Sequence, residues 1–337
     1  MNGHEICAAT PMTRSPEATS TRGSFITLIA VLLLSYLAAA LYTVYLNPEV
    51  SFWKTAYENK RGWSKEISTS GPKTVFVGGS SCAFQIDAGI LTQKHGMPSV
   101  NMGMHAGTGA PGILAIGLSV LNPGDKLMLC IEPALLTDNP GRTPLGYQML
   151  TATGLLFQPG RHWMALQGIR LGEALSALRP GLYHSVTMAA KVLAGRPLYR
   201  YGKADLRAGG AMSTAPQANI SPVGADSQSW SPESKRWIES ITTQLKISDN
   251  IQTAYLLPLA LFQPKEAEEA RRFHHAFLDE APHPIQSIRD EAAGVATNAL
   301  DFADSAQHLT TSAMENRTTA VARLILNPPS PQPTGIK

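Results

Sequence analysis

The chain has 337 residues, 44% of them hydrophobic and 16% charged, with a formal net charge of +3. That composition suits one large folded domain or two small ones, and so small a charge, with no basic cluster interleaved with aromatics, argues against nucleic acid as a partner. Three cysteines, Cys7, Cys82 and Cys130, are too few for a disulfide framework. There is no Cys-x-x-Cys and no His-Glu-x-x-His, and the adjacent His274 and His275 read as a solvated helix face, so no metal site is expected.

In chain order, residues 1–23 are polar and rich in Ser, Thr and Pro, which reads as a disordered tail. Ser24 to Leu46 is a run of 23 residues without a charge. At 1.5 Å per residue it is long enough to cross a hydrocarbon core of about 30 Å. It is too long for an ordinary signal-peptide core and lacks a clear cleavage site, so a retained transmembrane anchor is the expectation. Residues 47–72 read as a juxtamembrane connector, with Trp53, Tyr57 and Trp63 as interface anchors. Arg14 and Arg22 precede the span, whereas Lys54, Lys60, Arg61 and Lys65 follow it closely. The flanking charges therefore do not support a cytoplasmic N-terminus.

From Lys73 the pattern alternates. Strands are predicted at 74–77, 99–102 and 126–131, and helices at 88–95 and 113–121. A Gly-rich turn runs from Gly103 to Gly109, and Asn122-Pro123-Gly124 stops the second helix. Strands alternating with helices indicate an α/β domain with a mostly parallel sheet. Two helical stretches follow at 163–178 and 183–193, then a loop or disordered segment at 205–232, so 140–232 reads as an insertion or lid. The α/β pattern resumes with a strand at 252–257, an amphipathic helix at 266–278 and a short edge strand at 285–288. Ser312-x-x-Glu315 is a capping box that predicts a last helix to 326, before a Pro-rich tail at 327–337.

Two segments carry chemistry. The apolar run Val75-Phe76-Val77 breaks into Gly78-Gly79 and ends in Ser80-Ser81. Glycines there allow a sharp turn through positive φ, which leaves a serine at the sheet's C-terminal edge, where open α/β sheets place their crevices. The other is Asp304-Ser305-Ala306-Gln307-His308, read as a loop leading into the last helix. There the aspartate can accept the Nδ1–H of the histidine and leave Nε2 to face a serine. A plain strand-to-loop turn and a solvated ion pair are the blander readings. Cys82 reads as a small packed residue, Asp87 as a helix cap, and His105 as a histidine bonded within its own loop.

On these residues the chain resembles the SGNH/GDSL hydrolase superfamily, in particular its membrane-anchored, cell-envelope branch. The matching blocks are Gly78-Gly79-Ser80 with Ala83-Phe84-Gln85-Ile86-Asp87, then Asn101-Met102-Gly103-Met104-His105-Ala106-Gly107, then Pro123-Gly124-Asp125 with Glu132-Pro133, and Asp304 with His308-Leu309. They span roughly residues 73–137 and 252–325. The resemblance implies a three-layer α/β/α domain over 73–326, with Ser80 as nucleophile, His308 as base and Asp304 as its orienting acid. Ser81 is the competing nucleophile. The resemblance further implies backbone oxyanion donors at Ser80 and Gly103, with Gly79, Ser81, Asn101 and His105 around the substrate. The superfamily's Gly-x-Asn-Asp block is not evident, although Asn139 lies near its place.

The resemblance implies a serine esterase or O-acyltransferase acting on acylated cell-surface polysaccharide, without a cofactor. It places the domain outside the cytoplasmic membrane, with a polytopic membrane O-acyltransferase as a candidate partner. The rival is a non-catalytic envelope assembly or scaffold protein with a degenerate SGNH fold. A lipid esterase is a third reading.

Overall fold

The structure is a computed structural model that describes residues 17–137, 143–167, 171–179 and 182–327. The tail residues 1–16 and 328–337, and with them Cys7, lie outside the described residues, as does Asn139.

Helix α1 (Glu17–Leu41) continues as a π turn, Tyr42–Leu46. Within them Gly23–Leu46 is long and apolar enough to cross a membrane, and its most apolar window is unburied. The end of this segment is buried in the domain at Thr43 and Val44, and nearer its middle Tyr36 donates to Leu175 O at 2.8 Å. A single residue, Asn47, separates it from helix α2 (Pro48–Ser68). Asn47 caps α2 by accepting from Glu49 N at 3.0 Å, with Pro48 at the first helical position, where its missing N–H costs nothing.

Here the structure departs from the reading of 47–72 as a connector. Val50, Trp53, Ala56, Tyr57, Lys60 and Ser64 recur at helical spacing and are buried against the domain. Trp53 and Tyr57 are core side chains, 0% and 2% exposed, and not interface anchors. The folded unit therefore opens at α2 and not at Lys73. Truncating a buried aromatic such as Trp53 to alanine costs roughly 3–5 kcal/mol, so α2 is a structural part of the domain.

The remaining elements follow in order: β1 (Thr74–Gly78), α3 (Ser80–Gln85), α4 (Ala88–His95), β2 (Ser99–Asn101), α5 (Gly109–Leu118), β3 (Lys126–Cys130), α6 (Ala134–Thr137), α7 (Pro144–Ala152), α8 (Leu171–Ala177) and α9 (Leu182–Leu193). Then come α10 (Pro232–Asp249), β4 (Gln252–Leu256), β5 (Ala260–Leu261), α11 (Ala267–Asp279), β6 (Gln286–Ile288), β7 (Val295–Ala296) and α12 (Thr311–Leu326). The main sheet has the order β2-β1-β3-β4-β6, and every pairing in it is parallel. β5 and β7 form a separate two-stranded parallel pair.

Alternation along the strands sorts the core into two layers. Val75, Val77, Leu127, Leu129 and Tyr255 pack in one cluster with residues of α2, α5, α7, α10 and α11. Phe76, Met128, Cys130 and Leu256 pack in the other, with Leu91 of α4 and Val321 and Ala322 of α12. Both faces of the sheet are covered, as an all-parallel sheet requires. β1 leads outward to β2, and the chain then returns to β3 on its other side. The ends of β1 and β3 thus form the switch point of the sheet, where a crevice opens.

Several sequence expectations change in detail. α10 occupies residues to which no element was assigned; Ile238, Ile241, Thr242 and Leu245 give it a buried stripe. The single helix expected over 163–178 is instead a 3-10 turn at Arg161–Met164 and the separate α8. The Ser312–Glu315 capping box is not used. Thr310 caps α12 two residues earlier, its hydroxyl accepting from Ala313 N. Within 140–232, Met212 N donates to Ala83 O at 2.8 Å and Trp230 is buried in the core, so this stretch straps the domain.

Candidate active site

The glycines at the end of β1 serve close approach and not a left-handed turn. Gly79 has φ −77° and ψ −156°, which other residues adopt. A Cβ on Gly78 would lie 2.1 Å from the carbonyl oxygen of Cys130, and one on Gly79 2.3 Å from a carboxylate oxygen of Glu132. Two missing side chains thus let β3 and its Glu132 press against the start of α3.

Glu132 organises that start. Its carboxylate accepts from Gly79 N at 3.1 Å, Ser81 N at 3.2 Å and Ser81 Oγ at 2.5 Å. Ser81 is fully buried with its hydroxyl committed to this contact. Ser80, the first residue of α3, is 9% exposed, and its hydroxyl has no hydrogen-bond partner among the described residues.

One helical turn beyond Ser80, Phe84 stacks on the imidazole of His308, 4.1 Å between centroids and 17° between planes. The next residue, Gln85, donates to Leu259 O at 2.7 Å and Gln307 O at 2.8 Å, and accepts from Leu259 N. Consecutive side chains of α3 therefore fix the loop that carries His308.

That loop is a tight return and not a helix. Ala303 N donates to His308 O, Thr310 N donates to Asp301 O, and Phe302 bridges Leu309 in antiparallel fashion. The return brings Asp304 Oδ1 to 2.6 Å from His308 Nδ1. The buried carboxylate also accepts from Tyr201 Oη at 2.9 Å and pairs with Arg200 at 3.1 Å. Burial pushes the Asp304 carboxyl up. The hydrogen bond and charge of His308, the Tyr201 hydroxyl and Arg200 outweigh it and hold the group below the usual carboxylate range. With Nδ1 engaged, Nε2 is the nitrogen left for proton transfer. No hydrogen bond joins it to Ser80 Oγ among the described residues.

The second block is structural. Asn101 is fully buried; its Nδ2 donates to Cys82 O and Ile86 O, and its Oδ1 accepts from Gly103 N at 2.8 Å. This corrects two expectations: Asn101 has no polar atom left for substrate, and the Gly103 amide is already taken. The carbonyl of Gly103 accepts from Lys60 Nζ at 2.5 Å. Lys60 is 1% exposed, and burial, opposed by Cys82, lowers its ammonium from the ordinary 10.5 to about 7. His105 accepts from Gly107 N through Nδ1 at 2.9 Å, within its own loop. It packs on Trp53, and its Nε2 lies 3.9 Å from Glu49. Burial lowers its pKa, Glu49 opposes the shift, and the charge of His308 adds to it.

Asp87 caps α4, its carboxylate accepting from Ile90 N, and also pairs with Arg207. Cys82 is buried and packed beside Asn101. Among the described residues, no group of three or more His, Cys, Asp or Glu side chains could hold a metal ion.

Phe84, Glu132, Lys60, Arg200 and Tyr201 were missed as site residues. Phe84 and Glu132 sat inside the quoted motifs without a role. Lys60 counted as a flanking charge, and Tyr201 lay in a stretch with no local pattern. Aromatic side chains continue outward from His308 through Tyr201, Tyr199 and Phe52 to Trp53, whose indole donates to Tyr199 Oη at 2.7 Å. A cleft of about 220 Å³ opens beside Glu132 and Gln307, with Asp226, Leu259 and His274 in its wall.

No family model and no curated protein matches the chain. A solved structure from Streptococcus pneumonia, assigned provisionally as a platelet activating factor, aligns over 87% of this chain and 97% of its own. The identity is 13% and the TM-score 0.38, a distant likeness that carries no functional weight.

Proposed function

We propose that the chain is a serine esterase or O-acyltransferase of SGNH type, acting on acylated cell-surface polysaccharide from an anchored position. The Asp304–His308 pair, stacked one turn from Ser80, carries this reading. The parallel order β2-β1-β3-β4-β6, with Ser80 at the switch point, supports it.

In the proposed reaction, Ser80 Oγ attacks an ester carbonyl carbon as His308 Nε2 takes its proton. Asp304 holds the imidazole and stabilises the imidazolium. With the Gly103 amide engaged, the Ser80 N–H is the oxyanion donor that remains from the expected pair. The tetrahedral intermediate collapses, the C–O bond to the alcohol breaks, and His308 returns the proton to that oxygen. Water or a sugar hydroxyl then attacks the acyl-Ser80 ester, giving its proton to His308, and Ser80 Oγ leaves with it. No cofactor enters these steps. The acyl donor and acceptor are polysaccharide or a carrier supplied at the membrane, with a polytopic O-acyltransferase as the proposed partner.

A fluorophosphonate probe tests the reading on the full chain in detergent. Labelling that Ser80→Ala abolishes supports it; an unlabelled wild-type chain overturns it. A non-catalytic envelope scaffold is the second reading. It is favoured by the occupied Gly103 amide, since loss of one oxyanion donor costs about 100- to 1,000-fold in rate.

A further inference from the structure

We propose that the cleft bounded by the end of β3, by β5 and by residues 223–228 is a subsite for a neutral sugar ring, on the alcohol side of the ester. This rests on the reading of Ser80 and His308 as an ester site. The cleft lies against that site. Gln307 in its wall directly precedes His308, and Glu132, also in its wall, holds the amides of Gly79 and Ser81 on either side of Ser80. The outer wall, 223–228, belongs to the stretch between α9 and α10 and is pinned on both sides. Val223 N donates to Leu261 O at 2.9 Å beside β5, and the indole of Trp230 donates to Phe277 O at 3.0 Å. The volume of about 220 Å³ is below the roughly 300–1,000 Å³ of pockets that enclose drug-sized ligands, so the cleft suits a single ring.

The chemistry of the wall selects the ligand. His274, expected on a solvated helix face, is only 9% exposed and lines the cleft from α11. Its Nδ1–H donates to Ala293 O at 2.7 Å. In the neutral ring this leaves Nε2 as a lone-pair acceptor, without a partner among the described residues. Burial, opposed by that hydrogen bond, holds the His274 pKa below its ordinary value and keeps the ring neutral at neutral pH. The side chains of Asp226, Gln228 and Gln307 line the same cleft and also have no hydrogen-bond partner among the described residues. An acyl chain seated there would strip water from these groups and pair with none of them, which is costly. A sugar ring answers each one. Its hydroxyls donate to His274 Nε2 and to the Asp226 carboxylate and accept from the two amides, while Leu259 and Phe262 supply apolar surface for its C–H groups. None of the described lining residues is Lys or Arg, and Glu132 and Asp226 are both carboxylates. An acidic sugar would therefore meet like charge with no cation to offset it.

The test is saturation-transfer NMR on the full chain in phosphatidylcholine nanodiscs, which carry no sugar of their own. The probes are the methyl glycosides of glucose, galactose, mannose and N-acetylglucosamine, with methyl glucuronide as the acidic comparison. The variant combines Asp226→Ala with Gln228→Ala. Neither side chain has a protein partner among the described residues, so its melting temperature should stay near that of wild type. Gln228→Leu alone takes its place if the pair fails to fold. The expected result is transfer to at least one neutral glycoside, several-fold weaker transfer to the glucuronide, and a several-fold loss of the neutral signal in the variant. No transfer to any neutral glycoside overturns the proposal. So does transfer that the variant leaves unchanged, which would place the sugar elsewhere, and so does transfer to the glucuronide equal to that of the neutral probes. Ser80→Ala should keep the signal, because the cleft binds the ring without the nucleophile. Variant-sensitive transfer in a chain that no fluorophosphonate labels would leave the sugar subsite standing and remove the ester chemistry alone.

Discussion

The imidazole of His308 lies flat on the ring of Phe84, and both ends of that contact are fixed independently. Asp304 holds the imidazole from one edge, and Phe84 stands one turn from Ser80 on the helix that begins at the sheet's switch point. The imidazole is thus oriented by an aromatic face as well as by a carboxylate.

Phe84→Leu should keep most of the buried volume and lose the stack. We expect esterase turnover to fall while KM changes little, because the group that loses its support acts on a proton and not on substrate binding. Phe84→Ala should in addition destabilise the chain by about 3–5 kcal/mol. Kinetics and thermal melts on the same preparations check both.

The two serines should separate by stability as well as by labelling. Ser81→Ala leaves a buried Glu132 oxygen without its hydroxyl partner and should cost about 1–3 kcal/mol, with fluorophosphonate labelling retained. Ser80→Ala should leave the melting temperature nearly unchanged, since the Ser80 hydroxyl has no protein partner among the described residues, and should abolish labelling. The opposite pattern would make Ser81 the nucleophile.

Tyr201→Phe removes a hydrogen bond to the Asp304 carboxylate and should cost about 1.5–3 kcal/mol at neutral pH. The Asp304 pKa is depressed by folding, so its stabilisation is present above the unfolded value of about 3.9 and is lost as pH falls through the folded value. The gap between wild type and variant should therefore narrow as pH drops below about 4. Melts across that range read it.

Lys60 works in the opposite direction from a salt-bridged lysine. Its pKa falls on folding from 10.5 to about 7, so between those values the unfolded chain binds more protons than the folded one. Stability from this group should then rise with pH from 7 to about 10, by a few kcal/mol in order of magnitude. Lys60→Met should flatten that rise. A wild type and variant with parallel pH–stability curves would mean that Lys60 stays charged where it is buried.

Residues 1–23 are expected in the cytoplasm and the domain outside. Of the four basic residues that follow the span, Lys60 is a buried core residue, which weakens the charge argument against this orientation. A C-terminal alkaline phosphatase fusion should be active. An inactive phosphatase fusion with a bright C-terminal green fluorescent protein fusion would place the domain inside the cell.

The strands were legible because an all-parallel sheet writes itself as short apolar runs such as Val75-Phe76-Val77 and Lys126 to Cys130. The Asp304–His308 return was legible because the two residues are close in sequence. α2 was not, because a lysine stands on its buried stripe and reads as solvent-facing charge next to an apolar span. Tyr201 was not, because its contact with Asp304 crosses 103 residues and leaves no local pattern. The glycine pair was placed correctly for a different reason: proximity to Cys130 and Glu132, which no spacing reveals, and not backbone φ.

The junction at Asn47 has a bearing on reach. One residue joins the apolar helix to a helix locked in the core, so there is no tether to pay out. If the apolar segment is the anchor proposed above, the domain can swivel about its axis while its cleft keeps a constant height above the lipid. On the proposed polysaccharide reading, the polymer must then be brought past it, as thread passes a fixed guide.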